Sequence, residues 1–128
     1  MVLDTSALVA VLFDEPERDE LVRRIALAPR RLLSSATLIE SSIVVESRRG
    51  EAAGRELDLF LHRAKVQVVA VDEEQAELAR AAWRRYGKGR HRAGLNFGDL
   101  FAYALARASG EELLFEGDAF SKTDVAVT

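Results

Sequence analysis

Asp4, Glu40, Asp99 and Asp118 are the side chains of this sequence whose settings point to chemistry. Each adjoins an apolar run: Asp4 splits Val2 and Leu3 from "ALVAVL", Glu40 follows "ATLI", Asp99 opens "LFAYALA" and Asp118 closes "LLFEGD". Burying an unpaired charge costs far more than one residue can return, so an acid kept against hydrocarbon needs a compensating partner. Three carboxylates brought to ~4 Å would repel by about 4 kcal/mol per pair at an effective dielectric of about 20. Three such pairs rival the ~5–15 kcal/mol that holds a whole domain together. A cluster of this kind takes up protons or is neutralised by a divalent cation. The chemistry that a cation supplies there, water activation and charge stabilisation on a phosphate, is that of phosphodiester hydrolysis.

Each acid also has a purely local explanation. Asp4 can cap a helix, Asp99 can sit in a first turn facing the helix dipole, and Asp118 can be a turn residue. Glu40 has a competitor in Glu46, on the overlapping Ile39–Ile43 stripe but beside Arg48 and Arg49. The inference rests on the set, and the fold must bring four distant segments together.

The elements that would do so alternate. Val2 and Leu3 begin a strand, and Thr5 or Ser6 is expected to cap the helix that follows. Pro16 starts a second helix through "ERDELVRRIAL", and "RRLLSS" forms a strand with Ser34 or Ser35 capping a helix that stops at Gly50. A further helix, "EAAGRELDLFLHRA", precedes a β-branched strand, "VQVVAV", and the helix "EEQAELARAAWRRYG". "GDLFAYALARASG" is apolar nearly all round and predicts a buried helix. "ELLFEGD" gives a fourth strand and "DVAV" a short last one. Such alternation predicts an α/β/α layered fold with a central, mainly parallel sheet of four to five short strands. Ligands of such sheets bind beyond the carboxyl ends of the strands, where Asp4 and Asp118 fall.

The 128 residues, 48% hydrophobic and 30% charged, predict one domain over residues 1–128. With no cysteine and only His62 and His91, a thiolate nucleophile and a zinc site are excluded. A metal here would be held by oxygen, Mg²⁺ or Mn²⁺. The start carries no basic n-region, and no run approaches the ~20 apolar residues of a membrane helix, so a cytoplasmic protein is expected.

Four stretches, "MVLDTSALVAVL", "SSATLIESSIVV", "LNFGDLFAYALA" and "LLFEGDAFSKTDV", resemble the PIN-domain ribonucleases, most closely the VapC toxins of bacterial toxin–antitoxin pairs. They stand in the family's order and span the chain. The resemblance implies a PIN-like fold and a Mg²⁺-dependent endoribonuclease, the toxin of a type II pair. It implies an acidic core of Asp4, Glu40 and Asp99, with Asp4 and Asp99 as metal ligands, and it favours Glu40 over Glu46. Ser6 would support Asp4 or the substrate, and Asp118 would be the fourth acid. Relatives often carry an acid or amide just before the phenylalanine where this chain has Ala119, which leaves the fourth place between Asp118 and Asp124. RNA, a homodimer and a VapB-like antitoxin are the implied partners.

RNA needs positive charge beside an acidic site. "WRRYGKGRHRAG" offers Arg84, Arg85, Lys88, Arg90 and Arg92 just ahead of Asp99. Tyr86 can stack on a base, whereas Trp83 is expected in the core. Leu57, Leu59, Phe60 and Leu61 exceed one helix stripe and predict either a partner groove or a two-sided core contact. Two other classes remain: a receiver-like phospho-accepting domain, for which Asp72 is the one favourable feature, and an inactive PIN-like binding module.

Overall fold

A computed structural model describes residues 1–127. In chain order the elements are β1 (Val2–Leu3), α1 (Thr5–Leu12), α2 (Arg18–Leu27), β2 (Leu32–Ser34), α3 (Ser35–Arg49), α4 (Glu51–Arg63), β3 (Gln67–Val69), α5 (Glu73–Tyr86), α6 (Phe97–Ser109) and β4 (Leu113–Leu114). A 3-10 turn at Phe120–Lys122 follows. The four strands form one parallel sheet in the order β3-β2-β1-β4.

The strands are short, but β1, β2 and β4 are buried throughout, as a parallel sheet covered on both faces requires. Alternate residues feed opposite layers. Leu3, Leu33 and Leu114 enter a core with α1, α2 and α4, while Val2, Leu32 and Leu113 enter a second core with α5 and α6. The chain leaves β1 towards β2 on one side and returns to β4 on the other. The carboxyl ends of β1 and β4 therefore flank the switch point at which such sheets bind ligands.

Element boundaries differ from expectation where side chains take on other tasks. Pro16 precedes the regular part of α2 rather than opening it. The "DVAV" segment does not add a strand: Val127 makes a single parallel bridge with Leu113. Its first residue, Asp124, instead accepts hydrogen bonds from Tyr103 and Arg107, which tie the segment to α6. Of the apolar excess of α4, Leu57 and Leu61 are buried in the first core and Phe60 packs against it, whereas Leu59 is left 46% exposed. Among the described residues no helix is long and apolar enough to cross a membrane.

Leu57 is fully buried where α4 meets the first core. Leu57→Ala should cost about 2–5 kcal/mol through lost transfer energy and the cavity left behind. Urea unfolding should show a lower midpoint at an unchanged slope.

Candidate active site

Asp4 follows β1 and is itself the N-cap of α1, the place expected for Thr5 or Ser6. Its backbone N–H donates to the Leu114 carbonyl at 3.0 Å, which fixes it at the β1–β4 junction. Its side chain is 4% exposed, and Oδ2 accepts from the Ser6 amide at 3.1 Å and the Ser6 hydroxyl at 2.6 Å. The Ser6 oxygen in turn accepts from the Glu116 amide at 2.9 Å. The end of β4 thus orients a hydroxyl that orients the carboxylate ending β1.

Thr5 and Ser6 are already helical, and their hydroxyls serve acids. Thr5 donates to Glu40 Oε1 at 2.5 Å, with Ser41 Oγ 3.1 Å behind it. Thr5 has one hydroxyl proton, and with that given to Glu40, Ser41 must be the donor of the second bond. Glu40 enters from α3 and its Oε2 lies over Gly98, in the first turn of α6. Asp99 comes from the same turn. It closes a capping box in which its side chain accepts from the Asn96 amide at 2.9 Å and its amide donates to Asn96 Oδ1 at 3.1 Å.

The three acids also act on one another's charge. Burial pushes the Asp4 carboxyl up to about 6 against the opposing pull of the Ser6 bonds, and Asp99 and Glu40 push it further in the same direction. Burial also raises Asp99, the Asn96 amide opposes it, and Glu40 adds to the rise. Acids from the end of β1, from α3 and from α6 therefore share one field, each oriented by an uncharged partner. Among the described residues no group of three or more His, Cys, Asp or Glu side chains stands close enough together to hold a metal ion.

Asp118 and Asp124 are placed differently. Asp118 lies on the turn after β4, its side chain 81% exposed and 3.3 Å from Lys122 Nζ. Asp124 is held by Tyr103, Arg107 and, at 3.7 Å, Arg85. Neither is among the charges that bear on Asp4 or Asp99. Glu46 is also remote, packed over Gly54 of α4. Asp72, the residue a phospho-accepting domain would need, caps α5 by accepting from the Gln75 amide.

The basic segment divides as well. Arg84 and Lys88 line a cleft of about 770 Å³ between α5 and the start of α6. Arg92 is exposed, Arg85 is drawn to Asp124, and Arg90 stacks 4.2 Å from the centre of the Trp83 ring. Trp83 is 44% exposed and not in the core, because the buried stripe of α5 runs through Gln75, Ala82 and Tyr86 and leaves position 83 to one side. Tyr86 is the buried ring of the pair, packed on His91 and Tyr103, and is not open to a base. A second cleft of about 360 Å³ contains Glu40 and Gly98 and shares Phe97 and Phe101 with the first.

A parallel sheet covered by helices on both faces, with Asp4 at the end of its central strand β1, is the architecture of an α/β domain whose ligands bind beyond the strand ends. The PIN domain family model matches residues 1–126, and this chain belongs to that family. It is 63% identical over 126 residues to a ribonuclease VapC of Mycolicibacterium smegmatis, covering 98% of each chain. It is 56% identical to ribonuclease VapC30 of Mycobacterium tuberculosis, covering 98% of this chain and 96% of that one. In fold it is similar to the crystal structure of Mycobacterium tuberculosis VapC20, described as a Sarcin-Ricin loop cleaving toxin, with a TM-score of 0.80, 19% identity and coverage of 99% and 97%. VapBC2 of Rickettsia felis, bound to a promoter DNA fragment, gives 0.75 at 19% identity, covering 98% and 94%.

Thr5 and Gly98 are the residues sequence reasoning missed. Glycine inside a helix is a poor choice unless something approaches closely, and that was the available signal for Gly98.

The raised Asp4 pKa makes a stability prediction. The unfolded carboxyl titrates near about 3.9, so folding takes up a proton between there and about 6. The stabilisation is fully present below the unfolded value and is lost as pH rises through the folded one. Without metal, the melting temperature of the wild type should therefore fall relative to Asp4→Asn from about pH 4 to about pH 7. Parallel melting curves across that range would refute the burial account.

Proposed function

We propose that this chain is a metal-dependent endoribonuclease acting as the toxin of a type II toxin–antitoxin pair. The observation that carries this is the joint placement of Asp4, Glu40 and Asp99 beyond the sheet, in a chain 63% identical to a VapC ribonuclease. Their side-chain partners are Thr5, Ser6 and Asn96, none of them charged, so the acids are oriented without being neutralised. An all-oxygen donor set short of positive charge fits a hard divalent ion, Mg²⁺ or Mn²⁺. Asp4 and Asp99 would hold it, with Glu40 completing the acidic set. When bound, the ion supplies charge neutralisation and water activation at the phosphate.

The chain's own groups do the positioning. Ser6 orients Asp4 from the β4 side, the Asn96 amide holds Asp99, and Thr5 holds Glu40. Arg84, Lys88 and Arg92 would bind the RNA backbone beside the acids, with Arg85 and Arg90 contributing after leaving Asp124 and Trp83. An antitoxin of the VapB kind would be the inhibitory partner, in keeping with the VapBC complexes of Rickettsia felis and Salmonella typhimurium among the similar folds. A homodimer is also proposed, supported by Ile39, Ile43 and Phe97, the last 77% exposed, on one face of α3 and α6.

Asp4→Asn and Asp99→Asn should each lower RNA cleavage by more than about 100-fold, beyond the loss of an outer hydrogen-bond partner. Chelation should abolish cleavage, and Mg²⁺ or Mn²⁺ should restore it. Wild-type cleavage by either variant overturns the assignment of the ligands. Arg84→Ala with Lys88→Ala should raise KM, leave kcat near the wild-type value and flatten the dependence of RNA affinity on salt.

A further inference from the structure

Gly98 is the second residue of α6, where no left-handed backbone requires glycine. Glycine is the poorest helix former after proline, so the position gives up helical preference for some other gain. A Cβ built at Gly98 would lie 1.7 Å from Glu40 Oε2, 2.5 Å from its Cδ and 2.8 Å from Oε1. The whole carboxylate occupies the space of the missing side chain. It is a rigid group, and its opposite oxygen is held by Thr5 at 2.5 Å with the buried Ser41 hydroxyl behind. Moving away from a Cβ would break that bond.

We propose that Gly98 and Thr5 are paired positioning residues for Glu40: Gly98 supplies the seat for its carboxylate on α6, and Thr5 locks that carboxylate into it from α1. The proposal rests on the endoribonuclease assignment for its effect on cleavage, but the seat itself is a matter of packing. Thr5 follows Asp4 directly and Gly98 precedes Asp99 directly. Glu40, carried by α3, is thus registered against both other acids by their immediate chain neighbours. Neither Thr5 nor Gly98 needs to touch RNA or metal.

A mutant cycle between positions 98 and 40 tests this. Gly98→Ala should lower kcat by about 10- to 100-fold, the usual loss for a displaced supporting group, with little change in KM. It should also weaken Mn²⁺ binding measured by calorimetry on RNA-free protein. In a Glu40→Ala background the carboxylate that meets the added methyl is gone, so Gly98→Ala should cause no further loss of cleavage and should raise the melting temperature as alanine does in a helix. With Glu40 present, the same substitution should lower the melting temperature. An equal melting shift in both backgrounds, or wild-type kcat for Gly98→Ala, overturns the seat. If Glu40→Ala cleaves normally while the melting cycle still shows coupling, the catalytic assignment of Glu40 fails and the seat stands. Should Gly98→Ala not fold, Thr5→Val and Thr5→Ser decide the matter. The first should lose kcat and Mn²⁺ affinity and the second, which keeps the hydroxyl, should regain most of both; equal behaviour of the two overturns the lock.

Discussion

The constraint on which this structure turns is a buried negative charge at the end of β1. Asp4 is nearly inaccessible, feels the charge of two further acids, and among the described residues has only Ser6 to hold its carboxylate. Left ionised without a cation, it opposes folding; protonated, it is of no use as a ligand. The fold tolerates this because the switch point of a parallel sheet offers free backbone amides. The Glu116 amide reaches Ser6, Ser6 reaches Asp4, and the Asn96 backbone amide just ahead of α6 reaches the Asp99 carboxylate. Hydrogen bonds of this sort fix the direction of a charge but do not cancel it, and the proposed divalent ion would supply the missing positive charge.

The three acids come from the end of β1, from α3 and from α6, and small residues link them. Thr5 and Ser6, side by side in the first turn of α1, serve two different carboxylates. Gly98, one step from Asp99, makes room for the acid of α3. A residue valued for its hydroxyl or for its lack of a side chain is unremarkable in composition, yet here each fixes the separation between charged groups.

Much of this was legible in the residues. Alternation of short apolar runs with amphipathic helices predicts the parallel sheet, and acids beside hydrocarbon mark Asp4, Glu40 and Asp99, whose charges act on one another in the fold. What was hidden depends on tertiary partners. Asp118 has the local setting of a site acid but pairs with Lys122, and Asp124 is drawn away by Tyr103 and Arg107. "DVAV" has strand-like residues but meets only one bridge, and Trp83 is large and aromatic yet lies off the buried stripe of its helix. Thr5 and Gly98 carry almost no local signal, since their significance is the distance to a side chain 35 or more positions away.

The direct test of the central claim is anomalous diffraction from crystals of the protein soaked in Mn²⁺. One strong peak between the carboxylates of Asp4 and Asp99, beside Glu40 and absent in Asp4→Asn crystals, is the expected result. Manganese bound elsewhere on the chain, or no peak there at millimolar ion, would contradict it.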